Sequence, residues 1–152
     1  MKKLLLALVT VTLFTTTSFS QWVSKKIDNG FDPAYTIAYT DDKQDVFLKL
    51  ENYDGIAFYI SNTYVCDESV KVDISFLVSG EYKKYTNTCG VSDNHKTVFI
   101  VDDINSNPDF LADFKAASSV KIRIHDTTCD TEIYEFKMTG STAAFSAVSN
   151  QK

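Results

Sequence analysis

The chain reads as an all-β protein, an antiparallel β-sandwich of about eight or nine short strands with one or two short helices. Three observations predict this. Apolar and polar residues alternate with period two over most of the chain, the pattern of strands buried on one face and wet on the other. Turn-forming residues recur every ten or so positions between those runs. Only two segments depart from the alternation.

Taken in order, residues 1–20 stand apart. Met1-Lys2-Lys3 is a basic start, Leu4 to Phe14 is an apolar stretch, and a Thr/Ser run ends at Ser18-Phe19-Ser20. That order is a secretory signal peptide, with cleavage expected after Ser20. The apolar stretch is too short to span a hydrocarbon layer of about 30 Å, so no stable membrane insertion is expected. No Cys lies near the cleavage point to carry a lipid. Residues 21–152 are then read as one β-sandwich domain, periplasmic or secreted.

A strand from Trp22 to Asp28 stops at Asn29-Gly30. Tyr35, Ile37 and Tyr39 form the apolar row of the next strand, and Asp41 to Asp45 is a polar turn. Val46, Leu48 and Leu50 alternate again before the turn at Tyr53-Asp54-Gly55. The longest run places Val70, Val72, Ile74, Phe76 and Val78 on one face, against Lys71, Asp73, Ser75, Leu77 and Ser79. Gly80-Glu81, with Gly first, predicts a type II′ hairpin into the strand Tyr82 to Asn87. Asp93-Asn94-His95 is a connection. Asn107-Pro108-Asp109 precedes Phe110, Leu111 and Phe114, whose spacing predicts a short capped helix. Val120, Ile122 and Ile124 form a further strand, Thr127 to Thr131 a connection, and Tyr134, Phe136 and Met138 another strand. Residues 140–149 read as a closing helix or a last strand.

The formal charge is −5 over the whole chain, and losing Lys2 and Lys3 with the signal makes the remainder more acidic. Nucleic acid is not an expected partner, because phosphate binding needs clustered Lys and Arg. Arg123 is the only arginine, which rules out a site built from several guanidinium clamps.

Three cysteines allow one bridge and leave one thiol over, and export permits the bridge. Cys66 with Cys89 is the expected pair, flanking the open end of the long hairpin. A turn at Gly80-Glu81 sets Cys89 opposite Val72, so this pairing needs a bulge. Cys129 pairs with Cys66 instead if the two strand ends meet. As a nucleophile, Cys129 would have only His125 nearby in sequence as a base, and no Cys-x-x-Cys motif is present.

The cluster from His125 to Glu132 is the densest group of potential metal ligands, but it matches no zinc spacing. Asp41, Asp42 and Asp45, and again Asp102, Asp103 and Asn105, depart from the calcium-loop spacing. No metal or cofactor is expected. There is no Gly-x-Ser-x-Gly elbow and no glycine-rich phosphate loop, and no catalytic residue is assigned. A paired-carboxylate hydrolase acting on glycans is the alternative to a non-catalytic role, since many acidic pairs are available. Tyr53, Phe58, Tyr59, Tyr64, Tyr82 and Tyr85 fall in one segment and are the candidate binding aromatics, a strip able to hold a protein or glycan partner.

The order of features, with Trp22 near the mature start, Val70-Lys71-Val72-Asp73, Val120-Lys121-Ile122-Arg123-Ile124 and Phe136-Lys137-Met138-Thr139-Gly140-Ser141, resembles small exported bacterial β-sandwich proteins. It is more distantly similar to VasI-type accessory proteins of type VI secretion. That group brings no defined site, so no functional residue carries over. Ser20 before Gln21, the excess of Lys over Arg and Asp126-Thr127-Thr128 resemble proteins of the Bacteroidota, in which such triplets can be O-glycosylated. The resemblance makes Thr127 a candidate acceptor. The expected function is an exported binding or envelope-accessory module.

Overall fold

A computed structural model of the chain describes residues 22–28, 30, 33–40, 45–52 and 55–150. The signal-peptide reading, Tyr53, Asp41 and Asp42 lie outside the described residues. Among the described residues nine strands make one fully antiparallel sheet: β1 (Trp22–Ile27), β2 (Tyr35–Thr40), β3 (Phe47–Asn52), β4 (Ile56–Ser61), β5 (Ser69–Val78), β6 (Glu81–Val91), β7 (Thr97–Val101), β8 (Ser119–His125) and β9 (Glu132–Lys137). Their order across the sheet is β1-β2-β3-β4-β7-β6-β5-β8-β9. Two short helices, α1 (Pro108–Ala116) and α2 (Ser141–Ser149), complete the all-β architecture that the alternation predicts.

The sheet wraps round its helices. β1 and β5 are six strand spacings apart in the sheet order, about 29 Å if the sheet were flat. Yet the Phe114 ring of α1 lies 5.7 Å from Trp22 of β1, 5.3 Å from Phe58 of β4 and 6.3 Å from Phe76 of β5. The sheet therefore folds so that a first half, β1-β2-β3-β4-β7, and a second half, β6-β5-β8-β9, share one core. The fold line is where β6 meets β7, joined by only two residue pairs, Gly90↔Phe99 and Val91↔Val98, while Gly90 still pairs with Ser69 of β5. A long strand that changes partner at a bend is how sheet corners form. Across the opening, the Thr63 hydroxyl after β4 lies 2.8 Å from the Tyr134 hydroxyl of β9.

The inner faces follow the predicted alternation in β3, β5, β8 and β9: Leu48, Leu50, Val70, Val72, Ile74, Phe76, Val120, Ile122, Ile124 and Phe136 are all buried. β2 is reversed. Ala38 and Thr40 are the buried residues, and Tyr35, Ile37 and Tyr39 take the outer face, half-buried. The cause is α2, which packs against β2 more than against any other strand; a helix lying that close leaves room only for small side chains. Thr40 is satisfied there by the Leu48 amide, which donates to its Oγ1 at 3.0 Å.

α1 forms as its sequence dictates. Asn107 caps it, with Oδ1 accepting from the Phe110 amide at 3.1 Å, and Pro108 opens the first turn, where no amide donor is needed. The 140–149 segment is a helix, burying Ala144, Phe145 and Val148.

The long hairpin turns one residue earlier than expected. Ser79 and Gly80 both have positive φ, 50° and 87°, which makes a type I′ turn whose twist matches the strands. Val78 then faces Glu81, and Cys89 faces Val70 rather than Val72. Cys66 does not pair with Cys89. It is bonded to Cys129, with 5.8 Å between Cα atoms, and Cys89 is a buried free thiol. The reason is the β5–β8 register: Lys71 faces His125, so continuing both chains by four or five residues brings positions 66 and 129 together. Cys89 points into the core, and burial pushes its thiol up to about 11.

Candidate functional site

The five described aromatics of the six singled out in the sequence do not make one strip. Phe58 is a core residue packed on Phe110 and Phe114. Tyr85 lays its ring 4.9 Å from Phe110 and donates from its hydroxyl to Asp113 Oδ2 at 2.6 Å. Burial and the Asp113 carboxylate together raise the Tyr85 pKa. Tyr64 and Tyr82 are exposed, at 67% and 47%, but Tyr64 sits at the disulfide end of β5 and Tyr82 at its hairpin end, about 30 Å of strand apart.

Register assembles a different aromatic group on the outer face of the first half. Opposed residues of an antiparallel pair share a face. Tyr39 faces Lys49, Lys49 faces Tyr59, and Tyr59 faces Phe99. Tyr35 and Ile37 lie on the same side of β2, and Phe47 on the same side of β3. Tyr59 and Phe99 rings are 5.7 Å apart, and Tyr39 and Phe47 6.1 Å. An irregularity between Phe58 and Tyr59 in the β4–β7 pairing keeps Ile100 in the core while Phe99 turns outward, 38% exposed. Among the described sequence candidates only Tyr59 belongs to this group, and it is buried within it, 6% exposed. Tyr35 and Tyr39 do lie in the period-two row of β2, which turns outward, whereas Phe47 of β3 and Phe99 of β7 alternate with the apolar residues that their strands bury.

Lys49 and Glu51 within this aromatic face neutralise each other. Glu51 Oε2 is 3.0 Å from Lys49 Nζ and also accepts the Tyr59 hydroxyl, and Lys49 lies 5.1 Å above the Tyr59 ring. Burial works to raise the Glu51 carboxyl, but hydrogen bonds from Tyr59, Lys49 and Tyr35 and the Lys49 charge outweigh it and hold the group low. Burial and the Glu51 charge raise the Tyr59 hydroxyl.

The outer face of the second half has opposite chemistry. Lys71, Asp73 and Ser75 of β5 face Thr88, Thr86 and Lys84 of β6 on one side, and His125, Arg123 and Lys121 of β8 on the other. Lys121, Arg123 and Ser119 in turn face Glu135, Ile133 and Lys137 of β9.

The polar cluster between 125 and 132 is accounted for by local structure. His125 Nε2 is 2.7 Å from Asp73 Oδ2. Asp126 accepts the Cys66 amide at 2.6 Å and the Thr128 and Cys129 amides at 2.9 and 3.0 Å. Burial opposes ionisation of Asp126, but these three donors more than compensate and lower its pKa. Asp67 accepts from the Thr127 hydroxyl and amide and the Thr128 hydroxyl, with its pKa drawn down to about 2 by the two hydroxyls first and the amide next. Thr127 is thus exposed, with its hydroxyl already donating to Asp67. Cys66, Asp126 and Cys129 offer ligand atoms within 4.8 Å of one another, but the two sulfurs are joined in the disulfide and both Asp126 oxygens are occupied by amides. Cys129 is committed to the bridge and His125 is turned to Asp73, so the nucleophile reading has no geometry. Asp103 likewise serves the backbone, accepting from the Ile56 and Asn105 amides. Gly55, at φ 127°, is required there because a Cβ would meet the Asp103 Cβ at 3.0 Å.

No family model, curated protein or solved structure matches the chain significantly.

Proposed function

We propose that the protein is an exported, non-catalytic binding module, envelope-associated or secreted, that engages a partner protein through the aromatic outer face of β2-β3-β4-β7. The observation that carries this reading is the outer-face group of Tyr35, Tyr39, Phe47 and Phe99 packed round the buried Tyr59, with Lys49 and Glu51 paired to each other. Interface cores are enriched in aromatics and poor in unpaired charge. Export is supported by the signal-like start and by the Cys66–Cys129 bridge, which suits an oxidising compartment. Among the described residues no helix is long and apolar enough to cross a membrane.

A carboxylate hydrolase has less support. Its general acid needs a raised pKa, whereas Glu51, Asp67, Asp73 and Asp126, the carboxyls with shifted values among the described residues, all move down.

The test is quantitative capture from an envelope extract of the source cells, comparing the wild type with the double variant Tyr39→Ser/Phe99→Ser. Loss of a defined partner from the variant alone supports the reading. Identical capture profiles, with both proteins folded by circular dichroism, contradict it. Mass spectrometry of the protein recovered from the producing cell tests export, the expected N-terminus being Gln21.

A further inference from the structure

We propose that the open cavity over Arg123 on the outer face of the second half is a subsite for the carboxylate of an acidic sugar, a uronic-acid residue of a glycan. The inference does not depend on the aromatic face. The cavity measures about 310 Å³ and is lined by Asp73 and Ser75 of β5, Lys84 and Thr86 of β6, Lys121 and Arg123 of β8, and Ile133 of β9. Every one of these side chains is brought to the same side by the strand register.

Charge gives the first argument. In a chain of net charge −5, this face carries Lys71, Lys84, Lys121, Arg123 and Lys137 against only Asp73 and Glu135. The excess of cations is local and runs against the charge of the whole molecule.

Arg123 itself stands apart from the nearest carboxylate. It faces Asp73 directly across the β5–β8 pair, where a cross-strand ion pair would be the ordinary outcome. Asp73 is already occupied, its Oδ2 by His125 Nε2 at 2.7 Å and its Oδ1 by the Thr86 hydroxyl at 2.8 Å. Among the described residues neither Arg123 nor Lys84 has a carboxylate within 4.0 Å, whereas Lys121 is shared with Glu135 at 3.5 Å. The only guanidinium of the chain is therefore left open on a cavity wall, where its planar fork suits a carboxylate.

The remaining lining selects the kind of molecule that carries the carboxylate. Ser75 and Thr86 supply hydroxyls, Ile133 is 60% exposed, and the exposed Tyr82 ring beneath Lys121 lies along the same face. Hydroxyl partners beside small apolar plates suit a pyranose ring, with its polar rim and C–H faces. An acidic protein fits less well, since lysine is depleted from protein interface cores. A nucleic acid fits least, because Asp73 and Glu135 would face its dense phosphates.

Isothermal titration with trigalacturonate tests this, using its methyl ester, polyglutamate and polyphosphate as comparisons. The wild type should bind trigalacturonate, weakening as salt rises, and should not bind the ester. Arg123→Gln should lower affinity about tenfold or more. Arg123→Lys should recover part of the loss, because it restores charge without the fork. Lys96→Gln, in the exposed connection between β6 and β7, and Phe99→Ser, on the other half, should leave binding unchanged. Equal binding of acid and ester, or an Arg123→Gln variant that binds as tightly as the wild type, overturns the proposal. So does binding of polyglutamate or polyphosphate in place of trigalacturonate, which would assign the cavity to another anion, and so does binding of none of the four. All variants lie on exposed positions, and their circular dichroism should match the wild type.

Discussion

The two halves of the sheet have interchangeable inner faces and unlike outer faces. Inside, Leu48 and Leu50 of the first half and Val72, Ile74 and Phe76 of the second are all buried, and Phe58 of the first half and Phe76 of the second both meet the Phe114 ring of α1. Outside, the first half carries aromatic rings around a neutralised Lys49–Glu51 pair, and the second displays an excess of cations, with Asp73 held by His125 and Thr86 and Glu135 beside Lys121. A folded sheet separates two tasks in this way. The inner rows answer to packing and are constrained alike, so whatever distinguishes the halves functionally lies in the outer rows.

The largest effect should come from what the halves share. Phe114→Ala removes a ring touching Trp22, Phe58 and Phe76 at once and should cost about 3–5 kcal/mol, measured by urea unfolding with near- and far-ultraviolet probes. A single cooperative transition at lower urea fits a common core. Two separated transitions would mean the halves unfold independently and would break the comparison.

Next in size is the bridge at one corner of the second half. It closes a 63-residue separation, for which chain entropy gives about 4 kcal/mol. Cys66→Ser/Cys129→Ser should lose an amount of that order, whereas reducing agent should leave Cys89 and the aromatic face as they were. Peptide mapping after non-reducing digestion should recover the 66–129 pair.

Smaller, and spread over both faces, is the response to acid. Asp67, with a pKa of about 2 against an ordinary 3.8, and the lowered Glu51, Asp73 and Asp126 all bind protons more readily when unfolded. A depressed folded-state pKa contributes stability above the ordinary carboxylate range and loses it as pH falls through the folded value. Unfolding midpoints should thus be level near neutrality and fall from about pH 4 towards pH 2. Asp67→Asn should flatten part of that fall; an unchanged profile would mean its hydroxyl and amide partners do not hold it in solution.

Much of this fold is legible in the alternation. The positions of the strands other than β4 and β7, the Asn107 cap and the buried rows of β3, β5, β8 and β9 follow from period and cap chemistry, which are local. What sequence leaves open is set at a distance. The β2 row is reversed because α2, a hundred residues later, lies on it. The disulfide partner depends on the β5–β8 register, which no local signal encodes, and the hairpin moved by one residue because Ser79 accepts a positive φ. The candidate aromatics failed for the same reason: nearness in sequence from Tyr53 to Tyr85 spans strands on both sides of the fold line, so Phe58 and Tyr82 end up in the core and at a hairpin tip. Arg123 stood out by composition alone, but its open guanidinium is visible only once Asp73 is seen to be occupied.

Two separate outer surfaces carried by one core should bind independently, and a paired binding measurement tests this most directly. Tyr39→Ser/Phe99→Ser and Arg123→Gln are each assayed against the captured protein partner and against trigalacturonate. The first variant should lose the protein and keep the sugar, and the second should do the reverse. Loss of both ligands by either variant, or of neither by both, would contradict the division of the sheet into two binding faces.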